Sequence, residues 1–583
     1  MGGKQQLIKK NLPYIKVLPQ WAQELSYKYC SKTVNMYLVH GNIRDFLPHS
    51  MNEGEFSFKK IQEYISEVLF GNENIVVYYD RSSGVSFCTL EMEKEYLATM
   101  KHFFPKLSDT ELLSKDPRLA FEYLEKYFLI NIPRNKRIVF LIDYAETIIP
   151  YENIGLLDDT DRFCFVTLNR WSHEPFFTQG DVSIIVLTEN VSDINLRISS
   201  SPSVVKVHIP LPDAFLRKHF LDYLLAQDLL LLDRGMTSEK MSSLSAGLNL
   251  WHLHQIATES FQEDVPIDLS YLRQKKREIL EKEGAGLIEF IDANHDLSTV
   301  SGHDFVIGRL KNAARAIKQN QLDVLPMGYL ISGPIGTGKS FLVQAFAGEI
   351  GIPMVRLCNF SSQANGIVET NLERVFNILK ALSPVAVMID EADTLLGRRD
   401  DNRGDGSNSR IFGQIASFMG NTAYRGKILW FLITSRPDLI PIDLKRQGRA
   451  EEHLALFYPD SVEEKIALFE ALKKKLSIKV EQAPLHDLFK KISFEISGAD
   501  IEAILVRAKM HAAMDKRIVV TKADLENTIR DFIPPSYPHE IALQNLVAVL
   551  ECTSKQMVPK RFQNLDRGKL AQEIRDLKQL LQI

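Results

Sequence analysis

Apolar residues fall along this chain in short, nearly unbroken runs, separated by longer stretches with helical spacing, and most of the runs come twice. YLVHG (37–41) and YLISG (329–333) both end in glycine; IVFLIDYAE (138–146) and VAVMIDEAD (385–393) both reach an aspartate. IIVLTEN (184–190) and WFLITSR (430–436) both meet a threonine, and HIPLPD (208–213) and ALFYPD (455–460) both close on Pro-Asp. A helical segment with a Gly-containing start comes last each time, SAGLNLWHLHQIA (245–257) and ISGADIEAILVRA (496–508). Runs that stay apolar without alternation suit strands covered on both faces. Strands alternating with helical patterns predict a mostly parallel sheet between helical layers. The spacing agrees with the order: 45 residues separate Asp143 from Thr188 and 44 separate Asp390 from Thr434. Matched order and matched spacing predict an internal duplication.

Because GPIGTGKS (333–340), straight after the second copy's first strand, fits the phosphate-loop pattern GxxxxGK[ST], the expected fold is α/β, two tandem phosphate-loop (P-loop) NTPase-like αβα sandwiches, each followed by a small helical lid, with a short helical tail. The expected boundaries are 1–212 for a degenerate first copy, 213–281 for its lid and 282–304 for a linker. The second core is expected over 305–460, its lid over 461–534 and the tail over 535–583, where IALQNLVAVL (541–550) repeats at three and four residues. The first copy holds extra chain, since Gly41 and Asp143 are 102 residues apart but Gly333 and Asp390 only 57. Much of the excess is expected to be a helical, aromatic-rich insertion between Thr89 and Ile132.

Composition narrows the setting. A net charge of −4 over 583 residues argues against a whole-protein nucleic-acid footprint. Five scattered cysteines, with no CxxC, fit a reducing compartment and give neither a disulfide framework nor a zinc site. The basic start MGGKQQLIKK lacks an apolar core behind it, Gln6 sits where myristoylation wants Ser or Thr, and no apolar run is long enough to span a bilayer. The expectation is a soluble, cytoplasmic protein with no membrane partner.

GPIGTGKS (333–340) satisfies GxxxxGK[ST] at every fixed position, after an apolar run and before a helical one. Gly333, Gly336 and Gly338 allow a tight loop, with Pro334, Ile335 and Thr337 between them, whose N–H groups face phosphate oxygens. The following helix, opening Lys339-Ser340-Phe341, adds its positive end. Lys339 is expected on the β- and γ-phosphates of ATP and Ser340 on Mg²⁺. Asp390 is the second expected magnesium holder, and Glu391 beside it is the expected general base for the attacking water.

ITSRPDLIPIDLKRQGRAEE (433–452) resembles the second region of homology of the AAA ATPase family. That resemblance covers about 301–534 and implies ATP hydrolysis to ADP and phosphate. It places Ser435 as the sensor of the γ-phosphate and makes Arg446 and Arg449 arginine fingers that act on a neighbouring subunit's nucleotide. It sets Ile307 and Gly308 against the adenine and puts Gly498 and Ala499 at the start of the lid helix beside the nucleotide. It further implies assembly as a ring or arc, a hexamer among the forms. The whole layout resembles single-chain bacterial and plastid AAA ATPases with an inactive N-terminal half.

Two departures from the family pattern bear on use. Ser435 stands where the family has asparagine, and a hydroxyl is shorter and donates one bond only. Unfoldases carry a pore aromatic two positions before GxxxxNxxxxF; here GIVETNLERVF (366–376) is preceded by Ala364 and Asn365, with Phe360 out of register. Threading of a polypeptide is therefore disfavoured. In the first copy the Gly-Lys-Ser run is missing and Tyr144 takes the general-base position, with Asp143 and Arg197 retained. This copy is expected not to hydrolyse ATP but to pack against the other half or a partner. His252 and His254 have the wrong helical spacing for a shared metal, while KKREILEKE (275–283) and LKKKL (472–476) read as solvated faces. Three uses remain open: remodelling of a protein partner, a slow nucleotide-switched scaffold, and a DNA-associated motor, which would need a salt-dependent affinity for DNA.

Overall fold

The computed structural model of the chain describes residues 18–582 apart from 53–54, 72–73, 153, 293–294, 320, 359–364, 397–406, 483, 491, 493, 534–536 and 564–565. It divides into two compact units, Met1–Leu280 and Glu281–Ile583. The first contains β1 (Met36–Gly41), β2 (Leu47–Asn52), β3 (Glu55–Lys59), β4 (Ile75–Asp80), β5 (Gly84–Phe87), β6 (Ile138–Ile142), β7 (Val182–Thr188) and β8 (Val204–Ile209). The second contains β9 (Ile288–Ile291), β10 (Gly328–Ser332), β11 (Met354–Leu357), β12 (Val385–Ile389), β13 (Ile428–Thr434) and β14 (Glu452–Ala455).

Read from matching edges, the sheets run β8-β1-β7-β6-β4-β5 and β14-β10-β13-β12-β11-β9. Each is parallel except for one antiparallel edge strand, β5 on β4 and β9 on β11. The chain therefore is an α/β protein with two mostly parallel sheets flanked by helices. The edge strands arrive by different routes, β5 from a hairpin after β4 and β9 from chain ahead of its core. β9 thus lies inside 282–304, the stretch expected to be a linker. Its sequence IEFI carries a glutamate and only one of its residues is buried, so it lacks the continuous apolar run that marks a central strand.

Every residue of β6, β7, β10, β12 and β13 is buried. Successive side chains leave a strand on opposite faces, and the first unit accordingly has two cores. Met36, Leu38, Phe140 and Ile142 pack with Trp171 on one face, and Tyr37, Val39, Val139 and Leu141 pack with Trp21 and Tyr64 on the other. Each such side chain stabilises by about 1.5–3 kcal/mol when fully buried. The insertion after β5 is helical, Leu90–Phe103 and Pro117–Asn131, and joins the first of these cores through Tyr96, Phe121 and Phe128.

Both modules turn the same corner after their first core strand. Gly41 has φ +96 and Gly333 φ +138, and a Cβ would come within 2.5 Å of the Ile209 carbonyl oxygen in one and 2.0 Å of the Leu456 oxygen in the other. Glycine is required at both because a backbone passes overhead. Past the corner the modules diverge. The first continues into the β2–β3 hairpin; Phe46, just before it, stacks on Phe220 of the lid helix Ala214–Ala226 at 5.5 Å, and Phe58 within it meets the same ring edge to face at 4.9 Å. The buried Asp45 carboxylate accepts N–H bonds from Leu250 and Trp251 at 3.0 and 2.8 Å, at the start of the lid helix Leu250–Glu263. An anion at a helix N-terminus satisfies donors that otherwise have no partner. Asp45→Ala is expected to destabilise this unit by about 1–3 kcal/mol and Asp45→Asn by less, read as the urea midpoint; an unchanged midpoint would show that the carboxylate fastens nothing.

Candidate functional site

The second module's corner opens into the glycine loop. Gly336 (φ +83) runs so close to the lid that a Cβ there would lie 2.9 Å from Ser497 Oγ. Ser497 caps the lid helix Gly498–Met514 in a reciprocal box with Asp500, and the Ala499 N–H donates to the Gly336 carbonyl at 3.3 Å. The loop ends on Gly338 (φ +84), which starts the helix Lys339–Ile350. Thr337 Oγ1 donates to Pro334 O at 2.9 Å. Lys339 Nζ turns back on its own loop and donates to the Gly333 and Pro334 carbonyls, both at 2.9 Å. Burial lowers its ammonium to about 8, against the opposing pull of Asp390 and Asp393.

Ser340 Oγ donates to Asp390 Oδ2 at 2.8 Å. A hydroxyl and a carboxylate side by side form an all-oxygen donor pair, the chemistry that suits Mg²⁺. Asp390 follows β12 directly, and its other oxygen accepts the Glu391 N–H at 3.0 Å. Glu391 is exposed and sits in the left-handed region at φ +48. Two residues missed by the sequence reading complete this corner, since Thr434 Oγ1 at the end of β13 donates to Asp393 Oδ1 at 2.6 Å. Both belong to the duplicated runs (Asp393 ends VAVMIDEAD), which is the signal that could have found them.

The corresponding corner of the first module keeps the backbone and replaces the chemistry. Tyr144 also has φ +49, and its N–H donates to Asp143 Oδ1 at 2.8 Å. Arg44, from the turn after β1, pairs with Asp143 Oδ2 at 2.8 Å and stacks over the Tyr144 ring at 4.0 Å. The strand-end aspartate is therefore neutralised by a guanidinium from its own unit, and the lid helix by Asp45. Arg197 is exposed. His252 accepts from the Asn249 N–H at 3.4 Å, whereas the His254 ring stacks on Trp251 at 5.9 Å, so the two imidazoles serve different neighbours.

Beside the loop lies a cavity of about 740 Å³ lined by Gly336, Thr337, Gly338, Phe341, Gly498 and Ala499, with Ser301–Val306 as a further wall. Ile307 itself turns into the core with Leu310 and Ala314, and Gly308 follows it on the helix Asp304–Lys318. Ser435, half-buried, extends β13 one residue past the Ser332–Thr434 register pair, which sets it level with Gly333. Arg446 and Arg449 are not brought to this cluster. The Arg449 carbonyl lies 3.2 Å from the position of a Cβ on Gly328, at the start of β10. Five residues of strand, about 16 Å, separate that point from Gly333. Arg446 shares the turn, its carbonyl accepting the Arg449 N–H at 3.2 Å. Ala364 and Phe360 lie outside the described residues, as does the side chain of Asn365. Among the described residues no group of three or more His, Cys, Asp or Glu could hold a metal, and no helix is long and apolar enough to cross a membrane.

Three family models match successive parts of the chain. Residues 11–210 match the AAA+ chaperone N-terminal Rossmann-like domain and 216–285 the AAA+ chaperone second helical domain. Residues 329–458 match the ATPase family associated with various cellular activities (AAA). An uncharacterized AAA domain-containing protein, ycf46, from Pyropia yezoensis is 22% identical over 454 residues, 76% of this chain and 86% of that protein. Its counterpart in Guillardia theta is 22% identical over 365 residues, 61% of this chain and 70% of that protein. A cell division cycle protein 48 homolog from Archaeoglobus fulgidus is 30% identical over 203 residues, 34% of this chain and 27% of that protein. With two sheets whose five parallel strands share one order, a glycine loop at the end of β10 and these matches along its length, the chain is a member of the AAA family, built from an AAA chaperone-type N-terminal module with its helical domain and a C-terminal AAA module.

Proposed function

We propose that the second module binds ATP with Mg²⁺ at residues 333–340, hydrolyses it to ADP and phosphate, and uses the cycle to drive or switch remodelling of a macromolecular partner, a protein in the first instance. The reading rests on the 2.8 Å contact between Ser340 Oγ and Asp390 Oδ2, which joins the loop to the strand-end acid. Those two would hold the magnesium ion, which when bound offsets phosphate charge. Lys339 exchanges the Gly333 and Pro334 carbonyls for phosphate oxygens. Glu391, one residue beyond Asp390, orients the attacking water and takes its proton. Ser435, level with Gly333, senses the terminal phosphate. Gly498 and Ala499 carry nucleotide state into the lid, and the base occupies the cavity beside Phe341, near the start of the helix that bears Ile307 and Gly308.

Arg446 and Arg449 stand too far along β10 to serve their own loop, so the reading places them in the site of an adjoining copy in a ring or arc. Arginines so placed are worth roughly 10³–10⁵ in rate. A second reading, a slow-turnover nucleotide-switched scaffold, draws on Ser435, whose hydroxyl offers a single donor where the family has an amide. Partner-stimulated turnover favours the first reading, and assembly that follows bound nucleotide with unstimulated turnover favours the second.

Three outcomes are expected. Lys339→Ala abolishes ATP binding, while Glu391→Gln keeps ATP affinity and loses on the order of 10²–10⁴ in turnover; normal turnover in either would remove the assignment. Mixing Glu391→Gln protein with Arg446→Ala protein, each strongly impaired alone, restores turnover at junctions that pair an intact Glu391 with an intact Arg446; no recovery would remove the trans arrangement. Because free Lys339 loses its proton near pH 8 and phosphate holds that proton on, binding takes up a proton above that pH. The ATP dissociation constant is therefore expected to be flat below about pH 8 and to weaken by about tenfold per pH unit just above it, measured with a fluorescent ATP analogue.

A further inference from the structure

The turn that carries Arg446 and Arg449 is gripped at both ends by one imidazole. His453 Nε2 faces the Lys445 carbonyl at 3.2 Å and the Ala450 carbonyl at 3.1 Å, the residues that bracket the two arginines. Its Nδ1 faces the Glu551 carbonyl at 3.0 Å and the Glu551 carboxylate at 3.5 Å. Both ring nitrogens thus meet only acceptors, an arrangement that the doubly protonated ring satisfies and the neutral ring cannot. Burial works against the charge, but the Glu551 contacts outweigh it and hold the imidazole above its ordinary value. Glu551 also pairs with Lys445 Nζ, which donates to the Pro437 carbonyl at 3.0 Å. From β10 the register neighbour is Leu330, with no charge. Among the described residues, Glu551 is the charged side chain that contacts the ring, and Lys445 pairs with it.

Glu551 ends the tail helix Pro538–Glu551, and the same helix reaches the phosphate loop. Its Gln544, 7% exposed, accepts the Ile335 N–H at 3.1 Å. The second tail helix, Arg567–Leu581, places Lys578 on Asp438 at 2.6 Å, and Asp438 in turn holds Arg436, which follows Ser435. The two helices form one hairpin with a shared apolar seam of Leu543, Leu546, Val547, Leu570 and Ile574. One element therefore touches the phosphate loop, the turn after Ser435 and the arginine turn.

We propose that this C-terminal hairpin positions the arginine turn, with His453 and Glu551 as the clasp, and links it through Gln544 to the state of the module's own phosphate loop. The inference rests on the reading of Arg446 as a group that acts on nucleotide. His453, Glu551 and Lys445 are positioning residues and touch no reacting atom.

A double-mutant cycle on the full chain tests this. Glu551→Gln is expected to keep the ATP dissociation constant within threefold and the assembly state unchanged, and to lower kcat by on the order of ten- to a hundredfold, the effect of a misplaced group. Combined with Arg446→Ala it is expected to cost no further activity, since the clasp acts through the turn. At saturating ATP, where phosphate keeps Lys339 charged, wild-type kcat is expected to fall on the alkaline side as His453 loses its second proton, and in Glu551→Gln that fall moves to lower pH. Lys445→Gln serves the same cycle should Glu551→Gln not fold. Full turnover in Glu551→Gln with none in Arg446→Ala, or losses that multiply in the double variant, would overturn the clasp alone. Full turnover in Arg446→Ala would overturn the underlying reading as well.

Discussion

A sheet covered on both faces can expose chemistry only where its strands end. That constraint governs both halves of this chain. The central strands are buried along their whole length, so polar groups with work to do collect in the turns that follow them. In the second module those turns bring together Lys339, Ser340, Asp390, Glu391 and Thr434, drawn from three neighbouring strands and the helix between them. None of these contacts requires a long reach, because the parallel register already sets the strand ends level.

The first module obeys the same constraint and answers it differently. A strand-end aspartate in a half-buried corner needs a positive partner, and a lid helix that starts at that corner needs an acceptor. In the second module the Ser340 hydroxyl bonds the aspartate and the Ser497–Asp500 box caps the lid helix. In the other, Arg44 and Asp45, adjacent in sequence, meet both needs from within the chain. The β2–β3 hairpin that follows then adds aromatic contacts to the lid. The divergence at Gly41 thus sets a guanidinium and a carboxylate of the chain itself at the strand end and the lid helix.

How much of this could be read in advance follows from the range of each interaction. The strands were legible because double-sided burial writes a continuous apolar run. The glycine loop was legible because its contacts are local and need fixed residue types. β9 escaped because a half-exposed edge strand writes no such run. The roles of Arg44 and Asp45 depend on partners 99 and 205 residues away, and those of Glu551 and His453 on partners 106 and 98 away. Nothing in the local pattern marks such pairs. Ile307 shows the converse limit, since motif register gave its neighbourhood beside the cavity wall, but helical rotation turned its side chain inward.

The matching left-handed corners at Tyr144 and Glu391 carry one more consequence. A contorted backbone is commonly taken as a sign of stored catalytic tension, yet the same torsion occurs at a glutamate in one module and at a tyrosine in the other. The twist belongs to the way a buried strand exits into its next turn, not to the reaction. Identity at that bend, acid or aromatic, can change without moving the main chain.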